Sequence, residues 1–170
     1  MKVLLFSAVL TLFSSVSQAQ DSVQQRLGAQ FSYHPYDFFT GIHYQRERGR
    51  SEHRFFVQAG VNRTFFQSRL YPQLGYRFSY AFLQRAAFRT GVFVQPAVSL
   101  LTINRSAKHG THYWEEAFVG LSVSLGRRSR YQLSGGTGPC VEQAWSAIDK
   151  RYQHYFSWNH FLELSWSYAL

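Results

Sequence analysis

The sequence predicts an all-β protein: an eight-stranded antiparallel up-and-down transmembrane β-barrel, preceded by a cleaved signal peptide. Three observations predict it. Long stretches alternate apolar and polar residues with period two, as a half-buried strand does. The amino terminus has the layout of an export signal, and nothing after it is apolar for long enough to cross a membrane as a helix. The polar faces of the alternating stretches hold Gly, Gln and Ser where a solvated surface would carry Lys and Glu.

At the amino terminus, Met1 and Lys2 are followed by the apolar run Val3 to Phe13, and Ser17 and Ala19 stand at the small positions that signal peptidase reads. A run of roughly 11 apolar residues falls short of the ~20 that a spanning helix needs. Cleavage after Ala19 is expected, which divides the chain into a signal peptide, residues 1–19, and one barrel domain, residues 20–170. No cysteine stands near the cut, so a lipoprotein anchor is not expected. The single cysteine, Cys140, excludes an intramolecular disulfide framework and a multi-thiolate zinc site.

Taken in order, the first expected strand covers residues 27–34, with Leu27, Ala29, Phe31 and Tyr33 on its apolar face. The second covers 37–47 (Phe38, Thr40, Ile42, Tyr44) and the third 52–65 (Phe55, Val57, Ala59, Val61). The fourth runs from Arg69 to Tyr80 with Leu70, Pro72, Leu74, Tyr76, Phe78 and Tyr80 on one parity. In the fifth, Val92, Val94, Pro96, Val98 and Leu100 oppose Gly91, Phe93, Gln95, Ala97 and Ser99. The sixth sets Ala117, Val119, Leu121, Val123 and Leu125 against Glu116, Phe118, Gly120, Ser122 and Ser124. The seventh, 129–140, offers Tyr131 and Leu133, and the eighth alternates Trp158, His160, Leu162, Leu164, Trp166, Tyr168 and Leu170 with Ser157, Asn159, Phe161, Glu163, Ser165 and Ser167. Short breaks at 48–51, 81–86 and 126–128, with longer ones at 103–111 and about 141–151, describe a meander with tight turns at one end and longer loops at the other.

Alternation alone does not say which face looks inward. A soluble lipocalin-like barrel turns its apolar face in, and an outer-membrane barrel turns it out. The second arrangement is favoured by the polar face, where Gly28, Gln30, Gly41, Gln45, Gln58, Gly60, Gln73, Gly75, Gly91, Gln95, Gly120, Gln132 and Gly136 suit a narrow, crowded lumen. Aromatic residues gather near strand ends as an interfacial belt requires: Tyr33 and Phe38, Phe65 and Phe66, Tyr80 and Phe82, Tyr113 and Trp114, Trp166 and Tyr168.

With these features the mature chain resembles, over its whole length, the small eight-stranded outer-membrane barrels of Gram-negative bacteria, the OmpA/OmpX-like architecture, and is similar to short barrels from Bacteroidota. The resemblance lies in pattern and not in a motif. It implies outer-membrane localisation, lipid and lipopolysaccharide as surroundings, and the barrel-assembly machinery as a partner. In that family the last strand ends in an aromatic residue, usually Phe; here the last residue is Leu170, preceded by Tyr168 and Trp166.

On this assignment the inward ionisable groups are His43, Glu47, Arg54, Arg69, Arg77, Arg89, Glu116, Arg130 and Glu163. They are expected to pair with one another and with the glutamines as a plug; a gated ion path or proton relay is the sharper alternative. Glu116 and Glu163 are the carboxylates expected to offset the arginines. The interfacial aromatics are expected to be Tyr33, Tyr80, Trp114, Trp166 and Tyr168.

Catalysis finds little support. Ser157 and Glu163 share one parity of the last strand, while His154 and His160 share the other, so a nucleophile and a base do not meet there. His43, His53, His109 and His112 are expected near strand ends or in loops. The glycines at 135, 136 and 138 lack the spacing and the lysine of a phosphate loop. No metal spacing is present, so no cofactor and no metal are expected.

The chain carries 18 Lys plus Arg against 9 Asp plus Glu. These cations sit at breaks, at Arg46, Arg48, Arg50, then Arg127, Arg128, Arg130, then Arg105, Lys108, Lys150, Arg151, and form no nucleic-acid-binding stripe. The expected function is that of a non-enzymatic membrane scaffold or interaction module. A secreted lipocalin-like carrier of an apolar ligand is the alternative, and a lipid A-modifying enzyme the third.

Overall fold

The computed structural model describes residues 23–35, 37–62, 69–105, 108–146 and 151–170. The expected signal peptide and the pair Phe65 and Phe66 lie outside them. Among the described residues eight strands follow one another without a helix: β1 (Val23–Tyr33), β2 (Asp37–Arg48), β3 (Ser51–Asn62), β4 (Arg69–Arg85), β5 (Phe88–Arg105), β6 (Lys108–Leu125), β7 (Ser129–Ser146) and β8 (Arg151–Ala169). Each pairs antiparallel with its neighbours in sequence, and β8 pairs with β1, so the sheet is a closed barrel.

One end, the base, holds Val23, Leu170 and the tight β2–β3, β4–β5 and β6–β7 turns. Two of these turns need glycine: Gly49 has φ +57° and Gly126 φ +115°, backbone that side-chain-bearing residues rarely adopt. Gly126 N–H donates to Ala87 O at 2.7 Å, tying two turns together.

The other end, the crown, is lopsided. β1 to β3 have 11 or 12 residues, whereas β5 to β8 have 18 or 19. β8 pairs with β1 only from Leu162 to Ala169, yet it pairs with β7 from Arg151 onward, so a four-stranded flap stands above the low side of the wall. The stretches 103–111 and 141–151, expected as loops, are largely strand: Ile103 opposes Gly110, Asn104 opposes His109, and Ala144 opposes Gln153. His109 and His112 therefore stand on β6. The break expected at 81–86 is strand as far as Arg85, crossed by a bulge between Ala81 and Leu83 that leaves both Phe82 and Leu83 exposed.

Side chains alternate as the sequence predicts, with the apolar set outside. Val94, Leu121 and Leu164 are 49%, 60% and 57% exposed, while Gln73, Gln95 and Glu163 are at most 3% exposed.

Candidate functional site in the barrel lumen

The wall delivers a stack of inward side chains that runs from base to crown. Lowest is Glu47 on β2, whose carboxylate meets three guanidiniums: Arg26 Nε at 3.4 Å, Arg89 Nη1 at 3.5 Å, and Arg130 Nη1 in direct contact. Above it, Arg54 on β3 and Arg77 on β4 are register partners, two like charges side by side. Glu163 reaches them from β8. Its Oε1 accepts from Arg54 Nη1 at 3.0 Å and from Arg77 Nη1 at 2.9 Å, and its Oε2 accepts from Arg77 Nη2 at 2.8 Å.

Neutral and acidic groups take most of the remaining donors. Gln45 and Glu52 accept from Arg54 Nη2 at 3.2 and 3.3 Å, and Gln132 accepts from the same nitrogen. Gln95 accepts from Arg77 Nε at 2.6 Å, and Ser134 Oγ from Arg77 Nη1 at 3.1 Å. Burying charge in a narrow lumen depends on such dense pairing, although among the described residues Arg54 Nε and both ring nitrogens of His43 are buried without a hydrogen-bond partner.

A ring layer covers the arginines. Phe93, Phe118 and Phe161 form a buried cluster, and the Arg77 guanidinium lies 4.5 Å from the Phe93 ring centroid. Glycine makes room for these rings: a Cβ on Gly136 would lie 2.7 Å from Phe161 Cε1. His43, also buried, packs against Gly28, where a Cβ would come within 2.6 Å of its Nε2.

Nearer the crown a chain of amides spans the lumen. Gln30 Nε2 donates to Gln58 Oε1 at 2.8 Å, Gln58 donates to Gln73, and Gln73 Nε2 donates to Ser99 Oγ at 2.8 Å and Glu116 Oε2 at 2.9 Å. Glu116 also accepts from Asn159 Nδ2 at 2.9 Å and lies 3.8 Å from His34 Nδ1. Among the described residues its partners are thus amides and an imidazole, and Arg54, Arg77, Arg89 and Arg130, which it was expected to offset, lie below the ring layer. His34, in the turn after β1, is enclosed by Phe39, Phe118 and Phe161, and that desolvation lowers its pKa to about 4.

Of the expected interior set, His43, Arg54, Arg77, Arg89, Glu116 and Glu163 are buried, and Arg130 is nearly so through its contact with Glu47. The side chain of Arg69 lies outside the described residues. Sequence reading missed three members, among them His34, the last position of the first expected strand. Arg26, wholly buried, falls one position before the first expected strand, and Glu52 sits at the first position of the third. Parity was the available signal, since Arg26 shares it with Gly28 and Gln30, and Glu52 with Arg54.

Among the expected interfacial aromatics, Tyr33, Tyr80, Trp166 and Tyr168 are exposed on the outer face, at 42%, 41%, 42% and 39%. Trp114 departs from the expectation. It turns inward and packs on Tyr71 with ring centroids 5.3 Å apart, because it shares the inward parity of Glu116 and Phe118.

On the outer face Thr137 Oγ1 lies 2.8 Å from His160 Nδ1 and accepts from Trp158 Nε1 at 2.5 Å. This is a hydroxyl and imidazole pair beside which the described residues place no carboxylate to orient the imidazole as in a triad. On the flap, His112 Nδ1 lies 2.9 Å from Glu142 Oε1, and this bond holds the Glu142 carboxyl below its usual range. Among the described residues no three His, Cys, Asp or Glu side chains gather as a metal site would require. No protein-family model matches the chain, and neither does any curated protein or solved structure.

Proposed function

We propose that this chain is an outer-membrane β-barrel protein that acts as a non-enzymatic scaffold or interaction module. The observation that carries the reading is the polarity of the wall. Its outside is a continuous band of exposed Leu, Val, Ile, Phe and Tyr, and its inside is a buried, hydrogen-bonded network of Arg, Glu and Gln.

Water outside such a barrel would meet an apolar patch far larger than the few hundred Å2 usual for a soluble monomer. A hydrocarbon surround removes that difficulty. The band also has a suitable height: Leu70 to Tyr80 on β4 and Ala117 to Leu125 on β6 match the ~9–11 residues of a tilted transmembrane strand. Tyr44, Tyr131, Trp166 and Tyr168 collect at its base edge, where ring dipoles favour a headgroup layer. A carrier of apolar ligands needs Val94, Leu121 and Leu164 in its cavity, and here they face out. The packed lumen favours a closed scaffold over a conduit, and the flap, with Phe156 and Trp158 72% and 59% exposed, offers a surface above the band for contacts.

The test is cell fractionation with an unboiled gel. Recovery in the outer membrane, with a mobility that changes only on heating, is the expected result; a folded protein in the soluble fraction would overturn the reading. Unaltered lipid A in cells overproducing the protein is expected as well, and a new lipid A species would replace the scaffold by an enzyme using the outer face.

A further inference from the structure

The base of the barrel holds more positive charge than its own carboxylates offset. Glu47 is shared by Arg26, Arg89 and Arg130. Arg26 is wholly buried, and its outer nitrogens grip the β6–β7 turn: Nη1 donates to Arg128 O at 3.2 Å, and Nη2 donates to Arg127 O and, at 2.9 Å, to Gln24 Oε1. That grip fixes the backbone from which Arg127 and Arg128 project. Arg127 Nε donates to Ala86 O at 3.1 Å across the mouth, and the Arg128 guanidinium lies 5.2 Å from the Tyr168 ring centroid.

Between these groups lies an open basin of about 570 Å3, lined by Arg26, Glu47, Arg127, Arg128, Arg130 and Leu170. With Arg89 behind Glu47, five guanidiniums face the Glu47 carboxylate and its register partner Glu52, which Arg54 also shares. At least three positive charges remain around the basin, where Arg26 is bonded to the Arg127 and Arg128 carbonyls, Arg127 to Ala86 O, and Arg128 rests on the Tyr168 ring. Such a cluster is strained by its own repulsion and is relieved by a multivalent anion, which guanidinium forks bind in paired hydrogen bonds.

We propose that this basin is a binding site for a phosphate-type oxyanion, free or carried on a lipid headgroup. Arg127, Arg128 and Arg130 supply the donors, and Arg26 and Glu47 hold the scaffold. The basin has room for a phosphate ester as well as the bare ion, and Ala86, Ala169 and Leu170 give it an apolar side. The site belongs to the barrel fold and stands whether or not a bilayer surrounds the wall.

The test uses the full barrel in a non-ionic maltoside detergent, titrated calorimetrically in chloride buffer with inorganic phosphate and, separately, with dihexanoylphosphatidylglycerol below its micelle concentration. Saturable binding of either probe is expected, weakened about tenfold or more by the exposed pair Arg127→Gln/Arg128→Gln. Arg151→Gln, at the crown, is expected to leave it unchanged. Phosphate binding identifies a free anion as the source; binding of the lipid alone identifies a headgroup. Binding of neither probe by the wild type, or binding that survives Arg127→Gln/Arg128→Gln undiminished, overturns the proposal. Heat-dependent gel mobility verifies the fold of each variant, and because Arg127 and Arg128 are exposed the test does not depend on replacing the buried Arg130.

Discussion

Glu163 on β8 and Arg77 on β4 face each other across the lumen in a two-pronged ion pair, Oε1 to Nη1 at 2.9 Å and Oε2 to Nη2 at 2.8 Å, with both side chains sealed from solvent. The same carboxylate serves Arg54, the register partner of Arg77. Glu163→Gln therefore leaves two adjacent buried guanidiniums without their shared anion. The expected destabilisation is about 3–5 kcal/mol, the range for breaking a buried pair from one side. Urea unfolding of the refolded barrel measures it. Adding Arg77→Met to Glu163→Gln should recover part of the loss, and a double variant weaker than Glu163→Gln would mean that Arg77 is held chiefly by Gln95 and Ser134.

Val94→Arg places a charge on the outer face, on a side chain 49% exposed in the middle of the band. In a bilayer the expected cost is about 2–4 kcal/mol, and in water it is close to zero. Comparing unfolding in phospholipid vesicles with unfolding in detergent separates the two surroundings. An equal, negligible effect in both would count heavily against acyl chains around β5.

How much of this was legible in the sequence depends on where a strand has two different surroundings. From Val92 to Leu100 and from Ala117 to Leu125 one face is apolar and the other polar, so period two fixes both strand and parity. Beyond these stretches of the same strands, polar residues such as Asn104, His109 and Thr111, and on β7 Glu142 and Gln143, fall on both parities. The alternation disappears, although the ladder of hydrogen bonds continues. That is why the flap reads as loops. Trp114 shows the converse error, because aromatic character suggested the belt while its parity with Glu116 already placed it inside. Which charges meet was not legible at all: Arg54 and Glu163 come together only when β8 closes on β1, and nothing local to either residue records that closure.

Gly135 and Gly136 are neighbours on β7 that point to opposite sides of the wall, and they test the orientation without introducing charge. A Cβ at Gly136 would sit 2.7 Å from Phe161 Cε1 and 3.1 Å from Phe93 Cζ, inside a ring layer with no space to yield. Gly136→Ala should destabilise by about 1–3 kcal/mol, as overpacking does. At Gly135 the nearest atoms to such a Cβ are 3.8 and 3.9 Å away, so Gly135→Ala should be neutral or slightly stabilising, because alanine gives the unfolded chain fewer conformations to lose. Paired denaturation curves decide the matter, and a reversed order of the two variants would invert the wall.

His34 gives the barrel a pH dependence whose sign follows from its enclosure by rings. Desolvation lowers its pKa from an ordinary 6.5 to about 4, so the unfolded chain binds a proton at a pH where the folded one still refuses it. Above pH 6.5 both states are neutral at this site and it contributes nothing. As the pH falls from 6.5 towards 4 the folded state loses stability relative to the unfolded one, by about 3 kcal/mol in all, and below 4 the loss levels off. Other carboxylates titrate in the same range, so the quantity to measure is the difference between wild type and His34→Phe. Urea midpoints at pH 7, 5.5 and 4 should converge with the variant's as pH rises and fall behind it as pH drops. A difference that stays constant with pH would mean that Glu116, 3.8 Å away, captures the proton's charge and offsets the desolvation.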